Sequence, residues 1–576
     1  MYIVILFIIE FVLWDRTSSN SSVITVNRAT TTWNGSTWSI PPTTSTLAII
    51  NGNYDTAING NFECCSLNVN AGFTLTITPD RYALVQNNLN VAGTLNVMNS
   101  GSLVQVNDLG VNTGVISYQR STTGSLFDYV YWSSPVNGAT TPGGNIYAWD
   151  AVVGNPNGGQ GNWFGAANTA MSAGIGYIMR DVFSRNFVGT PRNGIYNTAI
   201  QRGSDLGAGS VGPNGILRLN TDDNWNLLGN PYPSAISVSK FIAANPIIDG
   251  FVRVWPHSSP LSSANADPFY NDFVYNYRAG DYIAINASGA TSGAGTLSVI
   301  GSGQGFFVLM NEDAVSGNPS TTSVVFNNSM RDKGYSNSQF YRTTANTTTS
   351  EDTLERHRIW LDFISPSETT RTLIAYAEGA TMQKDRLFDA LTDYEPAQNF
   401  YSLIDTEIMT IQGRSLPFDR NDQLPLGFKT SVPGNFTIAI AEVDGLFSTN
   451  QNIYLEDKSN GIIHNLKVNP YRFTSTAGIN NSRFVIRYTN ETLGSADFTG
   501  DASAVFVASN NGLTVTSTQE NIAEIEVYDL LGRKLYQSKN IDSQAHVMHS
   551  IQKTNSGLIL TITLTNGKKV LKKTIY

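Results

Sequence analysis

Residues 522–538 read IAEIEVYDLLGRKLYQS, and this stretch sets the fold class. Ile525 and Val527 alternate with Glu524 and Glu526, the period-two pattern of a strand with one face buried and one in water. Asp529-Leu530-Leu531-Gly532 then reverses the chain. An aspartate can hydrogen-bond its own turn, and Gly532 can take the left-handed conformation. A second strand leads away from the turn. The same pattern continues to Tyr576, where Thr565-Asn566-Gly567-Lys568 lies between two alternating runs as a hairpin signal. Seven strands are predicted, over 504–509, 513–517, 522–528, 534–538, 546–551, 558–564 and 569–575, enough for a small sandwich.

The rest of the sequence follows the same grammar. Its 576 residues are 41% hydrophobic and 11% aromatic but only 14% charged, against a usual figure of about 25%. Gly, Ser, Thr and Asn fill the difference, which suits short strands and tight turns rather than long surface helices. The chain therefore reads as all-β and multidomain. The expected parts are an apolar segment at 1–20, a Gly-punctuated β-solenoid-like segment at 21–125 and a β-sandwich or jelly-roll-like domain at 126–328. A polar linker at 329–350, a second β-sandwich domain at 351–490 and the C-terminal sandwich at 500–576 follow.

Four runs define the solenoid-like segment: NAGFTLTI at 70–77, VAGTLNV at 91–97, NSGSLVQV at 99–106 and NTGVISY at 112–118. Gly72, Gly93, Gly101 and Gly114 are expected at corners that need positive φ. Strands of this kind cannot bury a face alone, so neighbours must stack on them; an ordinary β-meander is the alternative reading of the same runs. In the next domain, NIYAWD at 145–150 and GQGFFVLM at 303–310 are strands between turn residues. Only SVSKFIAANP at 237–246 is helical in pattern, with Ser237 or Ser239 as cap and Pro246 as stop. Asn460-Gly461 marks a hairpin within 452–466, and residues 381–394 hold a helical turn or a long loop.

Few stretches suggest chemistry. The net charge is −9, with no dense basic patch of the kind nucleic acid requires. Lys568, Lys569, Lys572 and Lys573 read as an edge strand guarded by lysines. Cys64 and Cys65 are adjacent and cannot staple a loop, so two ordinary thiols are expected, at least one of them buried. His546 and His549 are three apart on a strand and point to opposite faces, which rules out a shared metal. His464 is expected to be structural. GSGQGFF at 301–307 lacks the helix that a dinucleotide loop needs. Asp222 with Asp223, Asp267 with Asp272, and Glu312 with Asp313 read as acidic turn residues. No cofactor is expected; calcium is the one ion such oxygen-rich loops would suit. Residues 1–14 are apolar except Glu10, too short for the roughly 20-residue membrane span, and read either as a degraded export signal or as a wrongly chosen start. No integral membrane span is expected.

Residues 522–538, followed by NSGLILTITLTNGKKVLKKTIY at 555–576, resemble the type A C-terminal sorting domain of the type IX secretion system of Bacteroidota. The matching positions are Val527, Tyr528, Asp529, Gly532, Arg533, Gly557, Gly567 and Lys573. One departure is SGLILTI, where that family more usually has a Gly-Val-Tyr stretch. The resemblance implies an Ig-like β-sandwich read by outer-membrane export machinery, with the passenger secreted or held at the cell surface. GNPYPS at 229–234 and IYLEDKSNGIIHNL at 453–466 are similar to stretches of flavobacterial surface proteins.

Two functional classes are consistent with this reading. One is an exported, non-catalytic surface protein, adhesive or glycan-binding, that meets extracellular polysaccharide. The other is a secreted polysaccharide-active hydrolase or lyase. Against the enzyme, residues 61–120 carry as charged groups only Glu63, Asp80, Arg81, Asp108 and Arg120, whereas a lyase groove concentrates acids, bases and charge neutralisers.

Overall fold

Thr74–Ile77 and Thr94–Val97 stack in parallel with Leu75 against Leu95 and Thr76 against Asn96. Alternation decides the rest: Leu75, Ile77, Leu95 and Val97 are fully buried while the threonines face outward. In the computed structural model, which describes residues 29–124, 126–154, 160–203, 225–255, 282–292, 298–311, 320–338, 354–392, 396–490, 504–508 and 512–576, this stacking builds a three-sided parallel solenoid. Its first sheet stacks Thr30–Trp33, Leu47–Ile50, Ser66–Val69, Leu89–Val91 and Asn112–Gly114. A second stacks Phe62–Cys64, Tyr82–Val85 and Ser102–Gln105. The third stacks Tyr54–Asp55, Thr74–Ile77, Thr94–Val97 and Ile116–Ser121, and is widened by the antiparallel strands Ser184–Pro191 and Val136–Asn137. Trp33, Trp38, Tyr54 and Phe62 pack ring on ring beside the first turn of the coil.

The four glycines are needed for two reasons, and Gly114 combines both, since a Cβ on it would lie 1.9 Å from the carbonyl oxygen of Val91. Gly72 and Gly114 have φ of 86° and 84°, as expected. Gly93 and Gly101 do not have positive φ. A Cβ on Gly93 would lie 2.2 Å from the carbonyl oxygen of Asn70, and one on Gly101 2.9 Å from that of Ile77. Glycine is needed there because one coil lies directly on the next. Cys64 and Cys65 are both buried free thiols, and burial raises the Cys64 pKa, with Cys65 adding to the effect.

The solenoid core continues into the following layers without a gap, from Trp33 to Met330. One sheet orders Tyr129–Trp132, Tyr177–Arg180, Ile146–Gly154 and Gln160–Gly165. Another orders Trp225–Gly229, Gly305–Met310, Ile248–Val254, Ile283–Asn286 and Gly289–Ala290. Phe307 lies edge-on to Tyr131, Trp149 and Trp163 between them. The segment 301–307 therefore runs into a central strand. The helix Val238–Ala244 is capped by Ser237, whose hydroxyl accepts from the Lys240 N–H, and it ends before Pro246.

The described part of the polar stretch at 329–350 lies against the solenoid. Arg331 donates to the Leu103 carbonyl at 2.6 Å and to the Ser234 hydroxyl at 2.8 Å, and Asn337 donates to the Gly101 carbonyl at 2.7 Å. Residues 339–350 lie outside the described residues, as do residues 1–28, with the apolar segment 1–14.

Residues 354–490 form one sheet of eleven strands. It curls over itself, so that Phe363 meets Phe400, Phe428, Phe436 and Phe473. Tyr454–Asp457 and Ile462–Asn465 form the hairpin expected at Asn460-Gly461, with Gly461 at φ 71°. Burial alone would raise the Asp457 carboxyl, but hydrogen bonds from Arg483, Ser459 and Tyr471 outweigh it and hold the pKa at about 2. Within 381–394, the described residues form turns followed by the short strand Ala390–Leu391. There Arg386 donates to the Ile242 carbonyl in the last turn of the short helix and to the Ile248 carbonyl at the start of the following strand, both at 3.0 Å.

The chain divides into two compact units, 1–486 and 487–576. The second contains Val505–Ala508, Leu513–Ser517, Ile522–Asp529, Lys534–Ser543, Ala545–Met548, Gly557–Leu564 and Lys569–Ile575. Numbered in chain order, the first, second and fifth strands make one sheet; the other runs fourth, third, sixth, seventh. This is an Ig-like arrangement in which the fourth strand has joined the sheet of the third, sixth and seventh. Val505, Leu513, Val515, Ile525, Val527, Leu560 and Ile562 fill its core, and the side chain of Tyr576 packs there too.

Candidate recognition site on the C-terminal module

The eight motif positions occupy three distinct environments. Val527 is buried in the sandwich core. Gly567, at φ 80°, makes the turn between the last two strands. The other six gather at the opposite end of the four-stranded sheet. Asp529 builds this end: its carboxylate accepts from the backbone N–H of Leu531 and of Arg533, each at 2.9 Å, and from Arg533 Nε at 2.7 Å. The Arg533 N–H, followed by its side chain and the Leu531 N–H, holds this carboxyl below its ordinary pKa. Gly532, at φ 80°, completes the turn, with its N–H donating to the Asp529 carbonyl at 3.1 Å.

Gly557 starts the neighbouring strand. A Cβ there would lie 3.0 Å from Leu530 Cδ1, so the missing side chain leaves room for Leu530 to lie across it. Lys573 is exposed on the last strand. It pairs with Ile559, which pairs with Tyr528, so the three share one row of the sheet. Lys534 stands 5.7 Å from the centre of the Tyr528 ring and forms an ion pair with Glu526 at 2.5 Å. That contact raises the Lys534 pKa and lowers that of Glu526.

The motif positions omit the most exposed apolar groups of this end. Leu531 is 82% exposed, Leu530 69% and Ile575 72%. Leu535 is also exposed, beside a β-bulge that sets Val527 opposite Tyr536 and Tyr528 opposite Lys534. A signal was present at 529–532: two successive leucines in a tight turn cannot both reach a core on one side.

The remaining candidates lie elsewhere. His546 Nε2 is 2.7 Å from the Tyr536 hydroxyl, and His464 Nε2 is 2.8 Å from the Asn469 carbonyl. Among the described residues, no three of His, Cys, Asp and Glu come together in a way that could hold a metal ion. The pairs Asp222 and Asp223, Asp267 and Asp272, and Glu312 and Asp313 lie outside the described residues. Among the described residues, every Trp and Tyr is buried or half-buried, and no helix is long and apolar enough to cross a membrane.

Family models divide the chain close to the boundary between the two compact units. A domain of unknown function (DUF8693) matches residues 26–488. The chain belongs to this family. The DUF8693 match takes in the solenoid, the middle layers and the curled sheet. A second domain of unknown function (DUF8694) matches residues 493–576, and so contains every motif position described above. Comparison with curated proteins found no match.

Proposed function

We propose that this is an exported protein, secreted or held on the cell surface, whose C-terminal module is the address read by type IX secretion machinery. The observation that carries this reading is that residues 487–576 close a hydrophobic core of their own. A sorting device must keep its shape whatever passenger precedes it. The turn built by Asp529, Gly532 and Arg533 stands clear of that core, where a transport protein could grip it. The test is a fluorescent reporter carrying an inner-membrane export signal and residues 487–576, expressed in a type IX-competent bacterium. Reporter in the medium or on the cell surface is the expected result, and retention in the periplasm would overturn the reading.

For the passenger we propose action by contact, adhesive or glycan-binding, rather than catalysis. Support comes from the outer face of the widened solenoid sheet. Thr74 pairs with Thr94, Thr76 with Asn96 and Asn96 with Ser117. This sets uncharged hydroxyl and amide groups, each able to donate and to accept, in a regular array. Co-sedimentation of the full chain with insoluble neutral polysaccharide checks this, and it predicts binding that Asn96→Lys weakens about ten-fold.

A further inference from the structure

Four exposed apolar side chains at one end of a soluble sandwich require an explanation, because such groups usually scatter singly. Leu530, Leu531 and Leu535 come from the turn and its bulge. Ile575 comes from the last strand, and it pairs with Gly557, over which Leu530 lies. Leu530 and Ile575, far apart in sequence, are thus brought to the same point of the sheet at Gly557, and Leu531 and Leu535 flank Leu530 along the chain.

The charges around the patch are graded in exposure. In the Arg533–Asp529 pair, the arginine side chain is 75% exposed and the carboxylate 16%. In Lys534–Glu526 the values are 43% and 23%. Exposed Lys573 adds a further cation. A partner approaching this end therefore meets positive charge first and apolar surface between, while the acids sit lower and are already engaged. Asp529 and Gly532 fix the turn before contact, so little conformational entropy remains to be lost on binding.

We propose that this end of the module, centred on Leu531 and rimmed by Arg533, Lys534 and Lys573, docks into an acid-rimmed apolar groove of a protein of the export apparatus. The inference rests on the export reading given above and adds which surface is gripped and by what chemistry. Apolar anchors in such an interface carry most of the binding energy, and the surrounding charges steer approach.

The test uses the full chain in a type IX-competent host, with the quantity reaching the medium or cell surface as the readout. The variants are Leu531→Asp, Lys573→Glu and their combination, with Asn566→Asp at the opposite end of the sandwich as control. A thermal melt of each purified variant confirms that the fold is retained, as expected for exposed positions. The double variant is expected to lose about ten-fold or more of the exported protein, the equivalent of about 1.4 kcal/mol of docking energy, while the control is exported normally. If Leu531→Asp and the double variant are exported like the parent chain, the docking surface is refuted and the export reading stands. Failure of the parent chain itself to leave the periplasm refutes the reading beneath it.

Discussion

Gly72 and Gly93 look alike in sequence, yet each is glycine for a different reason. Gly72 has positive φ and open space around its Cα; Gly93 has an ordinary φ and a neighbouring backbone 2.2 Å from where a Cβ would be. Gly72→Ala should cost about 1 kcal/mol, the penalty of a left-handed residue. Gly93→Ala should cost about 2–3 kcal/mol, because backbone has to move. Denaturant unfolding of the two variants checks the order, and a reversed order would mean that the coils are not stacked as described. A residue-scale test of charge is provided by Asp389. Burial pushes its carboxyl up to about 6, against the N–H groups of Asp385 and Gly413 that lower it. A raised pKa means the folded form holds its proton more tightly than the unfolded one. Stability should therefore fall as pH rises from about 4 to about 6, by about 3 kcal/mol in all. Asp389→Asn should remove that slope from a series of unfolding curves. Asp457 has the opposite sign: its contribution is present above the unfolded carboxylate range and is lost as pH falls through about 2.

Elements were legible where alternation or capping is local. The Ile522–Asp529 strand, the Ser237 cap and the Asn460-Gly461 hairpin all lie where their residue patterns place them, because each depends on neighbours within a few positions. The solenoid was legible as a tendency to stack, but not in its register. Gly72, Gly93 and Gly114 fall at the same corner of successive coils, 21 residues apart, while Gly101 marks a different corner, and its place among them makes the spacing look uneven. Residues 329–338 were legible only as polar. What holds them down is Arg331, buried, its pKa lowered to about 10 by desolvation and supported by Tyr232. Its donors are taken by neutral oxygens of Leu103, Ser234, Asn193 and Asn328, partners that no composition rule could identify. Arg331→Leu should strand those acceptors and cost about 3 kcal/mol, read as a lower midpoint in denaturant, together with faster proteolysis near residue 331. Unchanged stability would show that the segment is not pinned by this side chain.

At the scale of the whole molecule, the chain divides into two compact units. The larger, 1–486, is an all-β body in which solenoid, sandwich layers and curled sheet share buried surface. The smaller, 487–576, has few residues but a complete core. Six of its eight motif positions meet at one end, although the sequence spreads them from 528 to 573. The motif read from the sequence leaves out the exposed leucines, because exposure is a property of the assembled sheet rather than of the turn alone. Everything proposed for export depends on this module holding its shape without the body. The direct measurement is thermal unfolding of residues 487–576 purified alone, followed by circular dichroism. A single cooperative transition is expected, lowered by about 10 °C in Val527→Ala, which removes about 2 kcal/mol of core packing. A chain that shows no cooperative transition, or whose melting ignores Val527→Ala, would contradict the account.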